Sequence, residues 1–200
     1  MENKLGFKLV LAGFDQDLHN EFVRAFNGFP EVECHNGRFE DIDFDCVVSA
    51  ANSFGLMDGG VDQCITDYFG IEMMHRVQNR IIQEFAGEQP VGTSIIVGGI
   101  VGEQIGSAPR HKKVRYVAHT PTMRIPKSVT GSDNAYRAMK AALLAVIAHN
   151  RRYDSGLFSQ EGIKSINGVD IEMNPRINTL VCPGLATLTG RIPYDKAANQ

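Results

Sequence analysis

The sequence predicts a layered α/β fold with a mixed sheet, and three observations support this fold class. Short apolar runs of strand length alternate along the chain with longer segments whose apolar residues recur every three to four positions. Two of the apolar runs, 94–97 and 114–118, flank a glycine-rich polar connection typical of a hairpin or an edge excursion, and a hairpin implies an antiparallel pair. The chain has 200 residues, 43% of them apolar and 22% charged, which suits one globular domain spanning 1–200.

Each predicted strand is a short apolar run, and the runs are 7–12, 31–34, 46–48, 94–97, 114–118 and 180–182. The predicted helices show one apolar face each and cover 15–26, a segment starting at 61, 72–85, and a long segment that Ser132 or Asp133 caps and that reaches His149. The interval from about 151 to 176 has no clear period, so we expect an irregular insertion there, flanking the site. The chain stops at Gln200 within the first turns of another expected helix, which predicts a shortened C-terminus.

The most informative stretch runs from Asp45 to Ile65. A continuously apolar run, 46–48, reads as a buried strand, and Asn52 lies just past its end. A loop ending in Gly59-Gly60 then leads into a helix that carries Asp62 in its first turn. Because open α/β sheets bind ligands at the carboxyl ends of their strands, this stretch predicts a binding site.

This order of residues resembles the macro domain, an ADP-ribose-binding module. Its members typically read G-D-I-T, four residues, D-A-I-V-N-A-A-N, a loop, and G-G-G-V-D at the start of a helix. The positions in register are Gly37, Asp45, Val48, Ala50, Ala51, Asn52, Gly59, Gly60, Val61 and Asp62. The ten-residue step from Asn52 to Asp62 is similar to that of hydrolytic members. The resemblance implies a three-layer α/β/α sandwich with a central mixed sheet.

Asn52 and Asp62 are the two candidate catalytic residues. A side-chain amide offers donors and an acceptor to paired ribose hydroxyls, and the resemblance implies that Asn52 holds the distal ribose of ADP-ribose. It also implies that Asp62 orients or activates the water that attacks the anomeric carbon, where a carboxylate stabilises developing positive charge. The alternatives are a turn asparagine bonded to its own backbone and a carboxylate that only stabilises a helix start.

Two loops supply the remaining candidate ligand contacts. In the first loop Asp58 replaces the third glycine of the usual G-G-G, and the predicted contacts are Ala51, Asn52, Gly59, Gly60 and Val61. The second, from Val181 to Pro193, resembles the diphosphate loop P-G-L-G-T-G-x-G-x-M-P of a phage-encoded and bacterial group of macro domains. Ala186 and Leu188 replace glycines there, which tightens the loop. Its predicted contacts are Gly184, Leu185, Ala186, Thr187, Leu188, Thr189 and Gly190; a connection without a ligand is the alternative.

The adenine end departs from the family. The aspartate of G-D-I-T, which receives the adenine amino group, is Arg38 here, and a guanidinium accepts no hydrogen bond. Arg38 is expected either to stack on the purine or pair with a phosphate, or to be a plain exposed turn residue. Phe39 is expected to stack on adenine. His119 either lines the site or sits in the core.

Composition narrows the remaining function classes. A net charge of −3 argues against a bulk nucleic-acid-binding surface. Four cysteines without C-x-x-C pairing favour reduced core thiols in a cytoplasmic protein. The first residues are too weakly apolar for a signal peptide or a membrane span, and no spacing of ligands predicts a metal site.

Taken with the resemblance, these features predict a protein that binds ADP-ribose or a close derivative without cofactor or metal. The first function hypothesis is an ADP-ribosyl hydrolase acting on an ADP-ribosylated substrate. The second is a non-catalytic reader or sponge for ADP-ribose-like nucleotides, and the third is a structural relative with a vestigial pocket.

Overall fold

A computed structural model describes residues 5–101, 113–158, 163–166 and 169–200 of the chain. Its strands are β1 Lys8–Gly13, β2 Val32–Asn36, β3 Cys46–Ser49, β4 Ile95–Val101, β5 Lys113–His119, β6 Ile163–Ile166, β7 Val169–Glu172 and β8 Thr179–Pro183. Six of them form one sheet in the order β2-β1-β8-β3-β5-β4, while β6 and β7 pair with each other. Neighbours in the large sheet are parallel except β4 and β5, which are antiparallel. The mixed sheet is confirmed; the connection between β4 and β5 lies mostly outside the described residues.

The helices agree with the apolar periods of the sequence. They are α1 Gln16–Ala25, α2 Gly60–Phe69, α3 Ile71–Phe85, α4 Asn134–Asp154 and α5 Tyr194–Asn199, and a short 3-10 helix covers Phe39–Asp41. Asp15 caps α1 by accepting the Leu18 N–H at 2.8 Å. Gly70, with a φ of 86°, separates α2 from α3 because few other residues adopt that conformation.

Side chains on the two faces of the sheet belong to two separate hydrophobic cores. On β3, Cys46 and Val48 belong to the core that faces α1, α4 and α5, whereas Val47 belongs to the core that faces α2 and α3. Successive side chains of a strand point to opposite faces, so a doubly covered strand is apolar throughout. The three-layer α/β/α sandwich expected from the resemblance is confirmed.

Two details differ from the sequence prediction. The sequence predicts a buried face of α4 made of Ala135, Met139, Leu143, Val146 and Ile147. The structure buries Ala135 and Val146 together with Ala138 and Ala142, and it leaves Met139, Leu143 and Ile147 half-buried. The interval expected to be irregular contains the end of α4 and the antiparallel pair of strands β6 and β7. No helix in the described part of the chain is long and apolar enough to cross a membrane.

Candidate functional site

The site is positioned by two neighbouring central strands. β3 and β8 pair in parallel through Cys46 with Leu180 and Val47 with Val181. Because the strands are parallel, the loops that follow them leave the same edge of the sheet and lie side by side. The first loop, residues 50–59, leads from β3 into α2, and the second loop, residues 184–193, leads from β8 into α5.

Asp62 is a buried residue in the first turn of α2, and its carboxyl group is hydrogen-bonded to the end of strand β3. Ser49, the last residue of β3, donates its Oγ–H to Asp62 Oδ1 at 2.7 Å, and Oδ2 accepts no hydrogen bond from the described residues. Burial raises the pKa of Asp62 from 3.8 to about 7; the Ser49 hydrogen bond works against this rise and the charge of Asp58 adds to it. The carboxyl group therefore exchanges its proton near neutral pH, the range suited to a general base.

Asn52 is bonded to its own loop. Its Oδ1 accepts the backbone N–H groups of Phe54 at 3.0 Å and Leu56 at 3.4 Å, and its Nδ2 donates to the Leu56 carbonyl at 2.8 Å. These contacts are those of a turn asparagine. The second amide hydrogen has no acceptor among the described residues, so one donor remains for a ligand.

The second loop is folded back on itself. Ala186 has a left-handed φ of 57°, and its carbonyl accepts the Ile192 N–H at 3.0 Å. Thr187 Oγ1 donates to the Gly184 carbonyl at 3.2 Å. Gly190 lies so close that an added Cβ would be 2.4 Å from the Ala186 oxygen. Only a glycine therefore fits at position 190 without moving the backbone of the loop.

A narrow cleft of about 50 Å³ separates the first turn of α2 from the second loop. Its walls are formed by Ala50, Gly59, Gly60, Val61, Asp62, Met123, Gly184, Ala186, Thr187, Leu188, Thr189 and Gly190. Leu188 spans it, since a Cβ built on Gly60 would be 3.8 Å from Leu188 Cδ1. Pockets for small molecules hold roughly 300 Å³ or more, so a nucleotide requires Leu188 or its loop to move.

Most predicted contacts of the two loops meet in this cleft. Three predicted residues do not line it: Ala51 and Leu185 are buried beside it, and Asn52 is bonded to its own loop. The end of the first loop, Asp62 and the second loop therefore line one cleft.

Residues 48–200, which include both loops and Asp62, match the family model described as Macro domain. The chain belongs to the macro domain family. Among curated proteins it is 26% identical over 113 residues to an uncharacterized protein of Aquifex aeolicus, and the match covers 56% of this chain and 59% of that protein. The match therefore spans less than two thirds of that relative.

A solved macrodomain shares the fold, and others resemble it less. The macrodomain of Mycobacterium tuberculosis DarG superposes with a TM-score of 0.51 at 13% identity, covering 82% of each chain. A mutant Oceanobacillus iheyensis macrodomain with ADP-ribose gives a TM-score of 0.43 at 18% identity, covering 80% of this chain and 84% of that one. At 13% identity, the DarG match bears on the fold alone.

Arg38 and Phe39, which the resemblance assigns to the adenine end of a ligand, do not line the cleft. Arg38 is exposed, and its Nη2 pairs with Glu40 Oε1 at 2.5 Å. Phe39 is 4% exposed and packs edge-on against Phe44 and Tyr68, with ring centroids 5.7 Å away in each case. The Phe39 ring is therefore not available to stack on a base in this conformation, which differs from the expectation.

His119 belongs to the core. It is fully buried at the end of β5, its Nδ1 lies 2.7 Å from Gln89 Oε1, and burial lowers its pKa to about 3. Gln89 Nε2 donates back to the His119 carbonyl at 3.1 Å. The imidazole is thus neutral and fixed.

Sequence reasoning missed Ser49 and Met123. Ser49 was detectable as the polar end of an otherwise apolar buried strand, with its side chain on the α2 face. Met123 had no comparable signal, because it reaches the cleft through an isolated bridge to Asn52.

Proposed function

We propose that this macro domain binds ADP-ribose, or a close derivative, in the cleft and hydrolyses the bond at the anomeric carbon of the distal ribose. One observation carries the proposal: the buried carboxyl group of Asp62, with a pKa of about 7, lines the same cleft as Gly59 and Gly60 at the end of the first loop. Membership of the family and the in-register motif support the choice of ligand.

In the proposed reaction, the distal ribose lies against Gly59 and Gly60, and the diphosphate lies against backbone N–H groups of the second loop. Oδ2 of Asp62, the carboxylate oxygen that Ser49 does not bind, takes a proton from a water molecule. The oxygen of that water molecule forms the new bond to the anomeric carbon. The bond to the leaving group breaks, and the leaving group takes up a proton. The carboxylate also stabilises the positive charge that develops on the ribose.

The hydrolase proposal is tested by following ADP-ribose release from protein-linked, nucleic-acid-linked and phosphate-capped ADP-ribose. We expect Asp62→Asn to reduce kcat by at least about 100-fold while ADP-ribose binding persists, because the amide cannot accept the proton. Asp67→Asn is the matched control, since Asp67 is exposed on the same helix and pairs with Gln63. Equal turnover by Asp62→Asn and wild type excludes Asp62 from the mechanism.

A second function, a non-catalytic reader or sponge for such nucleotides, is favoured by the departures from the family motif at Arg38, at Asp58 and in the second loop. A reader binds ADP-ribose but releases none from any of the three substrate classes. Placement in a phage-encoded or bacterial group and a cytoplasmic location stay predictions.

A further inference from the structure

Ser49 is a fully buried hydroxyl at the end of β3, and its Oγ–H reaches Asp62 Oδ1 at 2.7 Å. Ser49 does not line the cleft, whereas Asp62 does. A hydrogen bond to a carboxylate that is 7% exposed is strong, because little water competes for the oxygen. Ser49 therefore acts on Asp62 and not directly on a ligand.

The position of Ser49 in the sheet fixes the direction of this bond. Side chains alternate along β3, so Ser49 projects from the same face as Val47, toward α2, while Val48 projects to the opposite face. The strand is paired on both sides, with β5 and with β8. The hydroxyl is thus carried by the last residue of a paired central strand, within hydrogen-bond distance of the first turn of α2.

The charged groups near Asp62 leave Ser49 as the favourable partner of the ionised carboxyl group. Asp58, on the first loop, disfavours a second negative charge. His119, the register partner of Ser49 on β5, is neutral and bonded to Gln89. The second loop contributes no titratable side chain to the cleft.

We infer that Ser49 is a positioning residue: it holds Oδ1 of Asp62 so that Oδ2 faces the cleft and serves as the base. This inference rests on the proposed hydrolase function for its catalytic meaning. The hydrogen bond itself is independent of turnover. Its loss makes the carboxylate harder to form and freer to rotate.

The test compares wild type, Ser49→Ala and Ser49→Thr, with Ser53→Ala as a control that removes another buried serine hydroxyl at the same sheet edge. The first readout is the pKa of Asp62, measured from its side-chain carboxyl carbon in an NMR titration and assigned with Asp62→Asn. We expect Ser49→Ala to raise this pKa by about one pH unit, and Ser49→Thr, which keeps the hydroxyl, to restore it. An unchanged Asp62 titration in a folded Ser49→Ala protein overturns the inference.

The second readout is the pH profile of hydrolysis. We expect Ser49→Ala to lower kcat about tenfold at pH 7, to leave KM unchanged, and to shift the rising limb of the profile by the same amount as the pKa. A purely structural serine lowers the melting temperature without moving this limb, which also overturns the inference. If wild type shows no hydrolysis, the proposed function fails, and the NMR titration still decides whether Ser49 sets the state of Asp62.

Discussion

At position 62 the chain buries a carboxyl group that would be ionised in the unfolded protein at neutral pH. The folded protein binds this proton more tightly, since burial raises the pKa from 3.8 to about 7. Between these two values the unfolded state has already lost the proton and the folded state still holds it. The contribution of Asp62 to stability is therefore greatest below pH 3.8, and it is lost as the pH rises from 3.8 to about 7.

This linkage predicts a pH-dependent effect of Asp62→Asn. The amide never ionises, so the variant lacks the loss of stability that wild type suffers between pH 4 and 7. We expect the unfolding free energy of the variant, relative to wild type, to rise by about 3 kcal/mol between pH 5 and pH 8. Urea unfolding at both pH values measures it, with Asp67→Asn as the control. A difference that does not vary with pH contradicts the raised pKa.

Asn52 shows that a motif can identify a residue without predicting the hydrogen-bond partners of its side chain. The motif identified the residue, but its contacts with Phe54 and Leu56 depend on how the first loop closes. Local sequence gives the capacity of an amide to bond its own turn or a ribose, and it does not give the choice. Phe39 is a similar case, because apolarity does not distinguish a stacking platform from a core residue.

Among the elements, the second loop is tightly constrained by its own backbone. Its backbone turns at Ala186 and returns past Gly190, which packs against the Ala186 carbonyl. Glycine at 190 is required by this close approach. The loop is also joined to the segment before α4, because Val129 N–H donates to the Gly190 carbonyl at 2.8 Å.

We therefore predict that Gly190→Ala is destabilising. Its Cβ would lie 2.4 Å from the Ala186 oxygen, so the turn must open and the bond from Ile192 N–H must weaken. We expect a loss of about 2 to 3 kcal/mol in unfolding free energy, together with loss of ADP-ribose binding. Gly59→Ala is the matched control in the opposite wall, where an added Cβ meets nothing within 4 Å. Equal stability of the two variants would disprove this account of the loop.

The side chain of Leu188 narrows the cleft. Its side chain is 44% exposed and lies near Gly60, across the space that a nucleotide needs. We expect Leu188→Ala to tighten ADP-ribose binding about fivefold, because binding no longer requires the side chain to move aside. Leu144→Ala, at an exposed position of α4, is the control for titration calorimetry. Weaker binding by Leu188→Ala indicates instead that Leu188 contacts the ligand.

Over the whole molecule, the sequence predicts individual helices and strands better than it predicts which strands pair with each other. The run 46–48 and the helix periods correctly predict β3, α2 and α3, because a doubly covered strand and a one-sided helix have distinct apolar patterns. The parallel pairing of β3 with β8 is not encoded locally, since the two strands are far apart in the chain. The motif resemblance assigned Asp62 and the second loop to one ligand, without predicting this pairing, and in the structure both line the same cleft.

The tertiary arrangement also explains what the sequence did not predict. Ser49 reaches Asp62 only because α2 begins directly above the end of β3. The narrow cleft depends on the distance between Leu188 and Gly60, which no local pattern reports. Such features arise where two segments meet, so they need the fold.

The central claim is that the cleft between α2 and the second loop accepts ADP-ribose, and titration calorimetry of the wild-type protein with ADP-ribose tests it most directly. We expect saturable binding at one site, with a dissociation constant of about 1 mM or tighter. The absence of any saturable heat or competition at millimolar ADP-ribose, with the protein shown to be folded, would contradict it.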